Sequence, residues 1–434
     1  MSRLTLAVAL LLAPLAIARA EGDAPANVVV RGATIEIGDG TVVEGDLFVR
    51  GGKIHAVGAV KPGDTEVVEI DATGLRLIPG LIDARSSLLA AGARHAGAAR
   101  YDARDDVDLW QVGARDALRR GVTTVVVVPG DEATWGGRIA VAKLGEPGRI
   151  LDEPGGIKAT IGVTRPGRRP GTWVAPTAAS VRGEIKNLVD TLKRASAYDE
   201  SWKKHRAAHA AWTKAVAAAK KGVEEAQKKG KPAEPAKEPV KEPSKEPAEP
   251  KLDAELEALG PVVRKEIPLR VEVHGIFAIR GALDAARQAG VRIVLDAASG
   301  IGAIADEIPE TVPVVVSVRG WGGPREAHAD PADAGALARA GVPVAVASFG
   351  PTATRASALL DLAAVAVREG LPAERALRAL TVDAAAAIGM ERRLGRIAKG
   401  RDADVVALDG DPFDPATQVV WVMIDGQIQY RREP

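Results

Sequence analysis

The chain has 434 residues, with 58 basic and 57 acidic side chains and a formal net charge of +1. This balance excludes the strongly basic character typical of nucleic-acid binding, so we expect no nucleic-acid partner. The chain has no cysteine, which excludes disulfides, thiolate metal sites and cysteine nucleophiles.

The first 20 residues have the pattern of a secretory signal peptide. Arg3 precedes an apolar stretch at residues 4–17, and Ala18-Arg19-Ala20 fits the small-x-small rule for cleavage. The apolar stretch is short for a membrane span. We therefore predict cleavage after Ala20 and a secreted or periplasmic protein, with an uncleaved N-terminal anchor as the alternative.

Short strands are predicted at both ends of the chain. In residues 27–76, apolar runs alternate with turn signals, and Gly51-Gly52 between two such runs indicates a hairpin. Residues 389–434 have the same pattern, with Asp425-Gly426 as a turn. We predict that residues 27–76 and 389–434 pair into one composite domain, a small β-sandwich.

Between these ends, residues 77–388 alternate strand-like and helix-like segments, as βα units do. The strand-like runs are rich in β-branched residues, which fits strands buried on both faces of a parallel sheet. Eight segments are predicted as strands, at residues 78–84, 122–128, 138–144, 157–163, 269–274, 291–296, 313–318 and 342–348. The predicted fold class is therefore α/β, a (β/α)8 TIM-like barrel with the composite β-sandwich beside it.

An insertion interrupts the barrel pattern at residues 185–251. Apolar residues recur every three or four positions from Ile185 to Val223, which predicts an amphipathic helix. Residues 228–251 are rich in Lys, Glu and Pro, and because proline blocks helix this composition favours an extended or disordered spacer. Two interpretations are open, a tolerated surface insertion and an arm that binds a protein partner.

Five motifs outside the insertion carry a resemblance to one family. They are Leu-Ile-Pro-Gly-Leu-Ile-Asp at 77–83, Gly-Val-Thr-Thr-Val at 121–125, Leu-Pro-Ala-Glu-Arg-Ala-Leu-Arg-Ala-Leu-Thr at 371–381, Leu-Gly-Arg-Ile-Ala-Lys-Gly-Arg-Asp-Ala-Asp-Val-Val at 394–406 and Val-Met-Ile-Asp-Gly at 422–426. The chain resembles the amidohydrolase superfamily, metal-dependent hydrolases related to imidazolonepropionase. The resemblance implies hydrolysis of C–N bonds, in cyclic amides, amidines or dipeptide-type substrates, with zinc or another divalent metal.

The positions that the resemblance assigns to metal ligands carry other residues here. In the family the motif ending at Asp83 is followed by x-His-x-His, whereas this chain has Arg85 and Ser87. Ala297 stands where the sixth strand is expected to supply a histidine, and Phe349 replaces the aspartate after the eighth strand. Neither arginine nor phenylalanine ligates a metal. We therefore interpret these five residues as degenerate pocket positions and predict no metal and no other cofactor.

Three residues are the remaining candidates for catalysis. The segment ending in Glu272-Val273-His274 resembles a V-H-x-H pattern, with Glu272 replacing one histidine and His274 keeping the other. Lys158 is matched more loosely to a lysine of the family. Each also has a structural interpretation, His274 as a hydrogen-bonded histidine left in an old pocket and Lys158 as an ordinary lysine at a strand end.

Further residues are candidates for a rebuilt pocket. Arg85, Ser86 and Ser87 suit an anion such as a carboxylate or phosphate, although they also fit as residues that fill the old cavity. Either serine as a nucleophile needs a base, for which His274 and His95 are the candidates. The other residues considered for this pocket are Arg319, Trp321 and His328, whereas His205 and His209 are assigned to packing on the insertion helix.

The leading hypothesis is a secreted amidohydrolase-like protein in which metal-dependent catalysis is lost. Under this hypothesis it binds a small molecule, for which an anion is one option, or a protein partner through residues 185–251. The alternative is an active hydrolase with a relocated site around His274 and Lys158, assisted by Glu272 and Asp83.

Overall fold

The computed structural model describes residues 27–63, 65–90, 98–130, 133–166, 173–228, 245–318, 330–349 and 356–433. The predicted signal peptide lies outside the described residues, as do His95, Arg319, Trp321 and His328. Within the described ranges, no helix is both long and apolar enough to cross a membrane.

The N-terminal segment forms five strands. They are β1 (Val28–Glu36), β2 (Val42–Arg50), β3 (Lys53–Gly58), β4 (Val68–Asp71) and β5 (Arg76–Pro79). The hairpin between β2 and β3 turns at Gly51 and Gly52, which have φ values of +57° and +75°. Positive φ at both central residues is what a tight hairpin turn requires, and glycine adopts it without a steric penalty.

The middle of the chain contributes twelve strands. They are β6 (Leu81–Ser86), β7 (Val122–Val127), β8 (Trp135–Arg138), β9 (Ala140–Lys143), β10 (Arg149–Ile150), β11 (Ile157–Ile161), β12 (Arg165–Pro166), β13 (Trp173–Val174), β14 (Leu269–His274), β15 (Ile293–Ser299), β16 (Val314–Val316) and β17 (Val344–Val346). Main-chain ladders join them in the orders β10-β9-β7-β6, β17-β16-β15-β14-β11-β8 and β12-β13. The fold is therefore mixed α/β, as predicted.

Two of the predicted strands differ from expectation. The segment at 78–84 is divided between β5 and β6, because the chain passes from one sheet to another at Gly80. The third predicted strand is not parallel to its neighbours: β9 pairs antiparallel with β7, and β8 pairs antiparallel with β11. The described part of the link between β7 and β9 contains β8 and no helix, so it lacks the helical crossover that usually joins parallel strands.

Helices pack around the middle strands. They are α1 (Val112–Arg119), α2 (Ala178–Lys228), α3 (Ala254–Ala258), α4 (Gly260–Val263), α5 (Ile276–Ala289), α6 (Asp333–Arg339), α7 (Leu359–Arg368), α8 (Ala373–Leu380) and α9 (Val382–Ala387), with 3₁₀ turns at Ala103–Asp106 and Ile301–Glu307. The largest buried cluster combines their apolar faces with β6, β7, β11 and β14–β17.

The long helix α2 begins before the predicted start at Ile185. The Thr177 hydroxyl accepts a hydrogen bond from the Ser180 amide (3.1 Å) and the Ser180 hydroxyl accepts one from the Thr177 amide (2.9 Å), a reciprocal cap at the N-terminus. Residues 229–244 of the predicted spacer lie outside the described residues. From residue 245 the chain runs back along α2, where Glu246 lies 3.2 Å from His209.

Both ends of the chain share one sheet. The last strands are β18 (Val405–Leu408), β19 (Val419–Ile424) and β20 (Gln427–Arg431). Because β18 pairs antiparallel with β5, the order is β20-β19-β18-β5-β1-β2-β3, with β4 also pairing with β1. This eight-stranded sheet has its own buried core around Ile35, Leu47 and Trp421.

Candidate functional site

Charged side chains converge where β11, β14 and β15 lie side by side in one sheet and β6 of another sheet approaches them, with Arg270 donating to the Ala84 carbonyl on β6. On β14 the polar residues Arg270, Glu272 and His274 alternate with buried valines, so all three point to the same face of the sheet. We name the strand-end cluster by its members, which are Arg85, Lys158, Arg270, Glu272, His274 and Asp296. The structure thus brings together Arg85 and all three predicted catalytic candidates.

Glu272 is the acceptor at the centre of this cluster. Its Oε2 lies 2.6 Å from Arg85 Nη2 and 2.7 Å from Lys158 Nζ, and its Oε1 lies 3.6 Å from His274 Nε2. Burial alone would raise the pKa of Glu272, but the two cations outweigh burial and hold its pKa well below the usual range. Glu272 is therefore a fixed carboxylate and a poor proton acceptor.

Asp296 is the second carboxylate of the cluster. It lies 3.1 Å from Arg85 Nη1 and 2.8 Å from Arg270 Nη2, and both Asp296 and Arg270 are fully buried. Burial lowers the pKa of Arg270, and the attraction of Asp296 opposes this effect. Arg85 therefore bridges two buried carboxylates on neighbouring strands.

Phe349 packs against Arg85. The guanidinium carbon lies 5.0 Å from the centre of the phenyl ring, within the range of a cation–π contact, and the Phe349 amide donates to the Arg85 carbonyl (3.0 Å). Phe349 has φ +51°, a left-handed conformation that is rare for a bulky residue. The replacement of the expected aspartate thus supplies a wall for Arg85.

Asp83 lies beneath this cluster and is fully buried. The Ser348 amide donates to its Oδ1 (3.0 Å), and the Ser348 hydroxyl donates to its Oδ2. Burial raises the pKa of Asp83 to about 6, although the hydrogen bonds from Ser348 oppose the shift. Asp83 thereby ties β6 to Ser348, two residues after β17.

The other two predicted pocket positions contribute less to the geometry. Ser87 is half-buried just after β6, where its carbonyl accepts from the Ala90 amide (3.2 Å). Ala297 lies within β15, and its side chain lies outside the described part of the molecule.

These residues do not fit a divalent metal. Both carboxylates that line the strand ends already contact cationic side chains, and a guanidinium at Arg85 repels a cation instead of ligating it. Across the described ranges, no group of three or more histidine, aspartate or glutamate side chains is placed to hold a metal ion. In the described residues, Arg85, Glu272 and Asp296 are joined by internal ion pairs.

Sequence reasoning missed two members of this cluster, Arg270 and Asp296, and also the neighbouring Ser299, whose hydroxyl lies 3.0 Å from His274 Nδ1. The alternation of polar and apolar residues in β14 was a usable signal for Arg270, since it puts Arg270 on the same face as Glu272 and His274. Asp296 and Ser299 follow from the register of β15 against β14, which no local pattern specifies.

A second buried charge cluster joins the middle of the chain to the terminal sheet. Lys143 on β9 lies 2.7 Å from Asp402, 3.0 Å from Asp404 and 2.6 Å from Asp425, and only 1% of its side chain is exposed. Burial would lower the pKa of Lys143, but the three carboxylates raise it. We call these four residues the seam cluster, because they lie where β9 meets the terminal sheet.

Comparisons with known proteins fit these observations. The model of the Amidohydrolase family matches residues 328–429. Amidohydrolase tasK from Hapsidospora irregularis is 44% identical over 61 residues, 14% of this chain and 6% of that protein. The N-substituted formamide deformylase of Arthrobacter pascens is 32% identical over 128 residues, 26% of this chain and 24% of that protein. The matches therefore span at most about a quarter of these relatives' own length.

A solved structure matches over nearly the whole chain. It is an amidohydrolase from Thermotoga maritima MSB8, which is 26% identical, covers 93% of this chain and 100% of its own, and superimposes with a TM-score of 0.70. The family model, the solved structure and the mixed α/β fold together support the amidohydrolase superfamily as the family of this chain.

Proposed function

We propose that this protein has lost metal-dependent hydrolysis and binds a small molecule at the strand-end cluster. One observation carries the proposal: the Arg85 guanidinium lies between Glu272 and Asp296, 2.6 Å and 3.1 Å from their carboxylates. A cation that already neutralises the two available carboxylates takes the electrostatic role of a metal without its Lewis acidity. From the resemblance, the family's metal is expected at this end of the strands.

The wider architecture is part of the same proposal. We propose that the two middle sheets close into a barrel through contacts between β17 and β6, where the Ser348 amide reaches Asp83. In such a barrel the strand-end cluster lies at the mouth, where active sites of this fold are found. We also propose that the terminal sheet curls over its core as a small sandwich, with residues 27–76 and 389–434 as its two halves.

The chemistry of the exposed groups favours a ligand with a carboxylate. Of the strand-end cluster, Arg85 and His274 keep the most accessible side chains, 14% and 21% exposed, and Phe349 adds a partly exposed apolar wall. A guanidinium beside an aromatic ring suits a carboxylate attached to an apolar or amide group. N-acetylated amino acids combine these features and are the natural first probes.

Elemental analysis tests the loss of the metal. The full chain, purified without chelators and without a histidine tag, is incubated with zinc or manganese, dialysed and analysed. We expect less than about a tenth of a metal ion per chain, because the carboxylates are already paired. One metal per chain that is required for hydrolysis would overturn the proposal.

Thermal denaturation tests the ligand. We expect N-acetylated amino acids to raise the unfolding temperature, and the corresponding methyl esters to have no effect, because only the free acid pairs with Arg85. Arg85→Met serves as the matched variant and should not respond to either compound. Equal stabilisation by acid and ester would contradict the assignment of an anionic ligand.

A second candidate is an active hydrolase with a relocated site. The observation that favours it is the position of His274, between the Glu272 carboxylate and the hydroxyl of Ser299. Export after cleavage at Ala20 and a protein partner for residues 185–251 are also proposals, supported by the sequence patterns alone.

A further inference from the structure

The ladder between β14 and β15 has an irregularity next to the strand-end cluster. In the backbone register Glu272 lies opposite Asp296, but His274 lies opposite Ser299. Between these two positions β15 therefore contains one residue more than β14. In an unbroken ladder His274 would face Ala298. A bulge of this kind re-aims a side chain, and bulges are frequent beside active sites.

The bulge puts a hydroxyl against the histidine. Ser299 Oγ lies 3.0 Å from His274 Nδ1, while Nε2 of the same ring lies 3.6 Å from Glu272 Oε1. With its proton on Nε2, facing the carboxylate, the neutral imidazole presents the Nδ1 lone pair to the Ser299 hydroxyl. A hydroxyl, a base and a carboxylate that orients the base are the parts of an activated serine nucleophile.

The carboxylate is held firmly in this arrangement. Arg85 and Lys158 both contact Oε2 of Glu272, which leaves Oε1 to face the imidazole. Lys158 is itself fixed, since its ammonium donates to the Pro129 carbonyl (2.9 Å). The two cations therefore hold Glu272 through Oε2 and leave Oε1 to His274.

Ser299 also has a suitable place in the chain. It is the last residue of β15 and is followed by Gly300, which has φ +75° and begins the turn into Ile301–Glu307. A serine at such a strand end lies on the side of a parallel sheet where ligands bind. It is 9% exposed, so a small substrate is better matched to it than a large one.

We propose that Ser299 is a nucleophile and His274 its general base, with Glu272 as a positioning residue, in acyl transfer from small carboxylic esters or amides. The inference rests on the proposed function in one respect, that the strand ends hold no metal. It goes beyond that function by assigning a covalent reaction to a residue outside the family's motifs.

The reaction balances with groups on the protein and water. Ser299 Oγ bonds to the carbonyl carbon as its proton passes to His274 Nδ1; the bond to the leaving alcohol or amine then breaks, and the leaving group takes that proton. Water adds to the acyl-serine with His274 again accepting a proton, the acid departs and the serine recovers its hydrogen.

Covalent labelling tests the proposal directly. The full chain is treated with a fluorophosphonate probe, which phosphonylates activated serines with loss of fluoride, and the modified peptide is identified by mass spectrometry. We expect one adduct, on Ser299, no adduct in Ser299→Ala, and labelling slowed at least about 100-fold in His274→Ala. Ser201→Ala, on helix α2, is the matched control and should label like the parent.

The role of Glu272 needs a readout that a structural role would not affect. With p-nitrophenyl acetate we expect Glu272→Gln to lower kcat with KM unchanged, and Glu272→Asp to recover part of kcat because it keeps the carboxylate. Circular dichroism and the unfolding temperature of each variant establish that it is folded.

The outcomes separate this inference from the proposed function. Labelling of Ser299 that survives a chelator supports both. A folded protein without an adduct on Ser299, or with equal labelling in His274→Ala, overturns the nucleophile and leaves the metal-free binding site intact. Stoichiometric metal required for hydrolysis overturns the proposed function, and its chelator sensitivity distinguishes that result.

Discussion

The strand-end cluster and the seam cluster are both built from buried ion pairs, but their charges are arranged in opposite ways. In the seam cluster one cation, Lys143, lies among three aspartates. In the strand-end cluster two carboxylates, Glu272 and Asp296, lie among three permanent or near-permanent cations. In the seam cluster all three carboxylates share one buried cation, whereas in the strand-end cluster each carboxylate contacts two cations.

This difference distinguishes a cluster that connects two parts of the fold from a cluster that can bind a ligand. The seam cluster connects β9 to the terminal sheet, and the basic residues around it, Lys53, Arg149 and Arg393, complete its charge balance. The strand-end cluster keeps Arg85 and His274 accessible and faces the side where strands end. Buried charges that only join two parts of a fold are enclosed by their partners, whereas functional charges keep one side accessible.

Removal of Lys143 should have the largest effect. Lys143→Met leaves the buried Asp402 and Asp404, and the partly exposed Asp425, without their shared cation, so we expect a loss of about 3–5 kcal/mol in the free energy of unfolding. Urea denaturation followed by circular dichroism measures it. The matched control is Lys53→Met: Lys53 pairs with the same Asp402 but is 48% exposed, and its loss should cost about 1 kcal/mol or less. Equal losses in the free energy of unfolding for the two variants would contradict the central role of Lys143.

Removal of a shared carboxylate should have a smaller effect. Glu272→Gln takes the negative charge from Arg85 and Lys158, but Arg85 keeps Asp296 and the amide oxygen still accepts a hydrogen bond. We therefore expect a loss of about 2–4 kcal/mol in urea denaturation. Glu307→Gln, which loses an exposed partner of Arg280, is the control and should change stability by less than about 1 kcal/mol. If Glu272→Gln left the free energy of unfolding unchanged, Arg85 and Lys158 would have found other partners.

The two clusters also differ in how far the sequence revealed them. The aspartates at 402 and 404 belong to a motif, and the strands at both ends were predictable because their alternation and turns are local signals. The strand-end cluster was predicted in part: Lys158, Glu272 and His274 were grouped as one relocated site, whereas Arg85 was assigned separately to an anion-binding pocket. Their convergence depends on parallel register between strands far apart in the chain, and Ser299 depends on a one-residue bulge. Neither register nor bulge leaves a local signal.

The pKa of Asp83 makes the free energy of unfolding depend on pH. Its pKa is raised by burial from 3.8 to about 6 in the folded chain, so the folded state favours the protonated form. This contribution to stability is fully present below about pH 4 and is lost as the pH rises through 6, by at most about 3 kcal/mol. Asp83→Asn should abolish it, so the stability of the variant relative to the parent should rise between pH 4 and pH 7. A constant difference over that range in urea denaturation would contradict the assignment.

Exchange of one cation for another should have the smallest effect. Arg85→Lys keeps the charge, but an ammonium cannot contact Glu272, Asp296 and the Phe349 ring together, as the planar guanidinium does. We expect a loss of about 1 kcal/mol in urea denaturation, with the response to N-acetylated amino acids weakened. Arg280→Lys, at an exposed pair, should change neither quantity. If Arg85→Lys matched the parent in both, a point charge would be sufficient at the strand ends, and the bridging geometry would have no role in binding.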